Sequence, residues 1–138
     1  MKTTKTKNYK TTVKDFNYFI QEVCHWLPKL NLQDHGMVFL HMELEKNTAL
    51  TWVEVSLENK TATFGLSEDW SWLKPDKYEL SKCAFHECCE LMLYKLHHSL
   101  TEFYSYKHVN EMRHEVVRTL ESALFEPYWH SKSKKGKK

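Results

Sequence analysis

One α+β domain is what this sequence predicts, and three observations predict it. An amphipathic helical period runs over 14–30, three short and partly alternating runs lie between 37 and 66, and two helical stretches fill most of 78–125. No internal repeat and no linker long enough to set off a second domain interrupts them. A length of 138 residues, 41% of them hydrophobic, suffices for one buried core.

The first helix is marked by Phe16, Phe19, Ile20, Val23, Trp26 and Leu27, which recur at helical spacing until Pro28 begins its end. Asp34, His35 and Gly36 make a turn. The runs MVFLHMEL (37–44), ALTWVEVSL (49–57) and KTATFGL (60–66) are rich in β-branched and aromatic residues, and the polar breaks EKNT and ENK separate them. This pattern predicts a three-stranded antiparallel meander. The stretch 67–77, with Trp70, Trp72 and Pro75, reads as a loop. Over 78–100 Leu80, Ala84, Cys88, Leu91 and Leu96 share a helical face. The last helix, 108–125, turns Val109, Met112, Val116, Leu120 and Ala123 inward, and Pro127 closes it.

Charge divides the chain. Residues 1–10 hold four lysines and 131–138 hold five, with no acid in either segment. The remaining body carries 11 basic and 18 acidic residues, a balance of −7 behind an overall +2. A nucleic-acid binder carries its positive charge on the folded surface, so these ends read as solvated tails. The expected boundaries are a basic tail at 1–13, a folded domain at 14–129 and a disordered basic tail at 130–138.

Composition excludes several function classes. The three glycines, Gly36, Gly65 and Gly136, fit neither a phosphate loop nor a dinucleotide fingerprint. No apolar run reaches the roughly 18 residues of a membrane span, and no apolar segment follows the basic start as in a secretory signal. Cys24, Cys83, Cys88 and Cys89 lack zinc-ribbon or Cys-x-x-Cys spacing. They read as reduced thiols, which places the protein in the cytoplasm.

The segment CAFHECCELML (83–93) holds the chemistry. In a helix, His86 and Glu90 stand one turn apart on one face and reach a single ion together. Glu87 lies about 100° round the helix, placed to contact a water on that ion without ligating it. Zinc accepts imidazole and carboxylate ligands, and a hydrolytic site uses three of them plus water. Such water has its pKa lowered toward about 7, and a carboxylate then takes its proton. The blander reading is a solvated charged patch. Against it, His86, Glu87 and Glu90 interrupt an otherwise apolar stretch, where charge is costly unless paired or ligated. The third ligand comes from the last helix, which offers Glu111, His114, Glu115 and Glu121: His114 is preferred because zinc favours imidazole, with Glu111 or Glu115 as alternatives. His97, eleven residues from His86, is about 16 Å away at helical rise and too far to share the ion.

The strand region ending in ENKTATFGLSEDW, then LSKCAFHECCELML, then RHEVVRTLESALF resembles the small zincin-like metallopeptidases of bacteriophages and prophages. The resemblance covers roughly residues 14–126 and implies a minimal zincin-like fold: an N-terminal helix, a three-stranded antiparallel sheet and two C-terminal helices. It further implies one zinc or another divalent ion on His86, Glu90 and His114, with Glu87 as the general base by which metal-bound water attacks a peptide bond. At position 90 the family most often has histidine, and an anionic ligand leaves the ion a weaker Lewis acid. By the same analogy residues 61–66 form the edge strand that pairs with substrate, Gly65 permitting close approach. A peptide or protein is the implied substrate and no membrane is implied. The alternatives are a catalytically inactive zincin-fold phage protein that binds a host protein, or a domain brought to DNA by its basic tails, as in metallopeptidases of the SprT-like type.

Overall fold

The computed structural model describes residues 7–44 and 49–137. A short strand β1 (Tyr9–Lys10) leads into helix α1 (Val13–Lys29). Thr12 caps this helix reciprocally with Asp15: its hydroxyl accepts from the Asp15 amide at 3.2 Å, and the Asp15 carboxylate accepts from the Thr12 amide at 2.8 Å. The helix ends as Asn31 enters the left-handed region at φ 56° and the Leu32 amide donates back to the Leu27 carbonyl at 2.8 Å.

Strands β2 (Gly36–Met42), β3 (Thr51–Ser56) and β4 (Thr61–Ser67) form one sheet, but it is not the meander the sequence suggests. Its order is β2-β4-β3, with β2 parallel to β4 and β3 antiparallel to it. Hydrophobic alternation marks strands without saying which lies between the others. Burial decides it: Phe64, Gly65, Leu66 and Ser67 of β4 are consecutively buried, as a central strand requires, whereas β2 alternates half-buried with exposed residues. Residues 61–66 therefore form no edge, and no substrate strand can pair there. Gly65 serves a different close approach, because a Cβ on it would lie 2.0 Å from Cε2 of the Trp52 indole.

The expected loop 67–77 contains β5 (Asp69–Ser71), which pairs antiparallel with β1. Part of the supposed N-terminal tail is thus built into the fold, and Thr11 is buried with its hydroxyl donating to the Ser67 carbonyl at 2.7 Å. Residues 1–6 of that tail and the EKNT break at 45–48 lie outside the described residues.

Helix α2 (Lys77–Leu100), capped by Asp76, runs through the core and packs on α1 and β3. Helix α3 (Tyr106–Leu120) returns beside it. The chain does not stop at Pro127. A π turn (Glu121–Phe125), in which the Glu126 amide donates to the Glu121 carbonyl, joins α3 to α4 (Glu126–Lys135). Pro127 falls in the first turn of α4, directly after the π turn. The disordered tail expected from 130 is consequently helical to Lys135. Lys132 is drawn inward to ion-pair with the buried Glu22, which also accepts hydrogen bonds from Ser81 and from Tyr128 at 3.1 Å.

The core joins Phe19, Val23 and Trp26 of α1, Phe64 and Leu66 of β4, Trp70, and Leu80, Ala84, Phe85 and Cys88 of α2. Val117 and Phe125 complete it. Of the inward set expected for the last helix, Val109 is buried and Leu120 half-buried, but Met112, Val116 and Ala123 are exposed, as is Leu96 of α2. Alpha-3 turns a different stripe inward because several of its inward positions carry polar residues.

Candidate metal centre

Those polar residues meet the middle of α2. His86, Glu90 and His114 each offer a ligand atom, and the three atoms lie within 4.8 Å of one another. The spacing of four on α2 brings His86 Nε2 to 3.2 Å from Glu90 Oε1. From α3, His114 Nε2 approaches the same oxygen at 4.0 Å and the Arg113 guanidinium at 3.6 Å. Glu90 Oε1 is thus the hub on which two imidazoles and a guanidinium converge. Glu111 and Glu115, the alternatives for a third ligand, are exposed on α3 and outside this group.

Glu87 stands apart from the ion pairs, as its place on the helix requires. It is only 4% exposed, and its Oε1 accepts a hydrogen bond at 2.6 Å from the hydroxyl of Thr51, the first residue of β3. Burial pushes its carboxyl up to about 7, against the opposing pull of that hydrogen bond. At Glu90 the balance is reversed. Burial alone would raise it, but the His86 hydrogen bond and the Arg113 and His114 charges hold it below the ordinary carboxylate range. Burial disfavours charge on His86, yet hydrogen bonds to Glu121 and Glu90 outweigh it and raise the imidazole to about 10. One helical turn therefore holds a carboxylate kept ionised and a carboxyl poised near neutrality.

Two of these participants, Thr51 and Arg113, have no role that the sequence alone assigns. Thr51 is a strand residue 36 positions from Glu87, and nothing local links the two. Arg113 is adjacent to His114 and looks like an ordinary helix charge. Glu121, which receives His86 Nδ1 at 3.0 Å, was detectable through its spacing of seven from His114, which places both on one face. The cysteines do not compete for this role. Burial pushes Cys89 up to about 12 and Cys88 well above the ordinary thiol range, so neither is a ready nucleophile.

Two imidazoles and one carboxylate are a donor set that zinc and similar divalent ions take, and three protein ligands leave a position open. Among the described residues no helix is long and apolar enough to cross a membrane. Compared with known protein families, curated proteins and solved structures, the chain matches none.

Proposed function

We propose that this chain is a zincin-like, metal-dependent peptidase of the phage type, holding one zinc or similar divalent ion on His86, Glu90 and His114. The observation that carries this reading is the convergence of three donor atoms from two helices within 4.8 Å, one residue away from a buried acid. When bound, the ion supplies a Lewis acid that polarises the scissile carbonyl and acidifies water. Glu87 is the proton carrier. Its pKa of about 7 suits a group that must both accept and release a proton near neutral pH. Thr51 engages Oε1 and fixes the carboxylate plane, so Oε2 takes the proton and returns it to the leaving amine. Arg113 adds positive charge beside Glu90 and limits how far that anionic ligand weakens the Lewis acid.

The same contacts favour a second reading. His86, partnered on both nitrogens by Glu121 and Glu90, forms a charge network that is complete without an ion. On that reading the domain is a non-catalytic module that binds a host protein.

Metal uptake separates the two. Elemental analysis of untagged protein after zinc titration is expected to give about one ion per chain, with uptake lost in His86→Ala, Glu90→Ala and His114→Ala. Glu87→Gln is expected to keep the metal and lose peptide cleavage. No uptake by the unmodified protein sinks the peptidase reading, and full activity in Glu87→Gln sinks the proton-carrier role.

A further inference from the structure

The two ring nitrogens of an imidazole sit on opposite edges, and only one can face a given ion. At His86 the Nε2 edge is turned to Glu90, the hub that His114 also approaches. The Nδ1 edge faces away from that hub and meets Glu121 Oε1 at 3.0 Å. Glu121 therefore lies behind the ring and is badly placed to ligate an ion held by Nε2. What it can do is accept the Nδ1 proton, which fixes the tautomer, sets the ring rotation and leaves the Nε2 lone pair free.

The carboxylate is held for this task at both of its ends. Its side chain is only 14% exposed, and its backbone carbonyl receives the Glu126 amide as the opening bond of the π turn. Such turns inside helices recur at functional sites. The turn opens at the residue that reaches His86, seven positions after His114. One helical run thus supplies a ligand and, two turns later, the group behind another ligand.

We propose that Glu121 is a positioning residue of the metal centre, orienting His86 through Nδ1 so that Nε2 points at the ion. This rests on the metal-binding reading above and adds a fourth residue to it. A partner of this kind typically accounts for about 10–100-fold in metal affinity. The acidic Glu115 lies in the same helical run but is exposed and outside the cluster. It is the control for charge alone.

The test is zinc affinity by competition with a chromophoric chelator, together with the visible spectrum of the cobalt(II)-loaded protein. Full-length protein is compared with Glu121→Ala, Glu121→Gln and Glu115→Ala, and thermal melting of each metal-free protein verifies folding. Glu121→Ala is expected to lose about 10–100-fold in affinity and to shift the cobalt bands. Glu121→Gln, which keeps an acceptor for the Nδ1 proton, is expected to recover most of that loss. If the alanine variant does not fold, Glu121→Met, which keeps the side-chain length but offers no carboxylate acceptor, takes its place with the same expected loss. Glu115→Ala is expected to stay within about twofold of the unmodified protein, because exposed charges act weakly. Three outcomes overturn the inference: unchanged affinity and spectrum in both Glu121 variants, a glutamine variant as weak as the alanine variant, or an equal loss in Glu115→Ala. If the unmodified protein itself takes up no zinc or cobalt, the metal-centre reading falls first and this role with it.

Discussion

Removing the charge at Glu87 is expected to stabilise the metal-free protein while abolishing its activity. The structure holds this carboxyl at about 7 instead of the ordinary 4.5, chiefly through burial. Its folded-state pKa exceeds its unfolded one, so the associated stability is complete below about pH 4.5 and is lost as the pH rises toward about 7. Each pKa unit corresponds to about 1.4 kcal/mol. By about pH 8, ionising Glu87 therefore costs the folded state about 3 kcal/mol. The Glu87→Gln variant escapes that cost. The elevated pKa of His86 and the depressed one of Glu90 also make stability depend on pH, and both groups feel the Glu87 charge. Between about pH 5 and about pH 8, however, His86 stays protonated and Glu90 ionised in both folded proteins, so their contributions largely cancel in the comparison. The assay is urea unfolding of both proteins in chelator. From about pH 5 to about pH 8 the stability of the variant relative to the unmodified protein should rise by about 2–3 kcal/mol. A difference that does not change with pH would refute the argument, since it would mean that burial does not hold Glu87 neutral. Confirmation would make Glu87 a case of stability given up for chemistry.

Three other outcomes follow from the packing. Gly65→Ala should cost about 1–3 kcal/mol, because the added methyl displaces the Trp52 indole from β4; denaturant unfolding measures the loss and tryptophan fluorescence the displacement, and unchanged values would show that the indole has room elsewhere. Lys132→Ala leaves the buried Glu22 carboxylate with only neutral donors, so it should cost about 1–3 kcal/mol and lower hydrogen-exchange protection over Glu126–Lys135; protection equal to that of the unmodified protein would show that the ion pair does not hold α4 down. Under native conditions Cys24, exposed on α1, should react with a thiol reagent well before the buried Cys88 and Cys89; simultaneous labelling, read by mass spectrometry, would contradict the packing around α2.

Local signals in the sequence mark α1, α2 and strands β2, β3 and β4 because their apolar residues keep the period of the element they occupy, whereas β1 and β5, two and three residues long, are too short to show one. The His-Glu-x-x-Glu turn was legible for the same reason: spacing along one helix is a local quantity. What escaped depends on contacts between elements. The place of β4 between β2 and β3 follows from burial on both its faces, which alternation in neighbouring strands does not reveal. On α3 the apolar stripe pointed to Met112 and Val116, which are exposed, because inward positions are occupied by Arg113 and His114. The residues that obscured the helix face are those that reach the site. Thr51 was invisible because a strand and a helix 36 residues apart share no pattern. The lysines of the C-terminal segment looked like a solvated run, and only the buried Glu22 opposite Lys132 shows why that segment stays helical.

The π turn has a consequence for how this chain tolerates changes of length. It contains one residue more than an α-helical path of the same rise, and it sets the rotation of everything after Phe125. Losing a single residue there, the exposed Ala123 for instance, would let the run close into ordinary α-helix with α4 close to its present rotation. Tyr128 and Lys132 would still face Glu22, and Trp129 would still face Tyr78. The same loss earlier in α3, with the π turn kept, would turn everything after it by about 100° about the axis. A natural variant one residue shorter between 121 and 125 should therefore keep the tyrosine–lysine pair that closes over the first helix, whereas one shortened within α3 should have lost the π turn or replaced that pair. The turn thus acts within the helix as a loop does elsewhere, taking up a change of one residue without changing which face of the last helix the protein presents to its own interior.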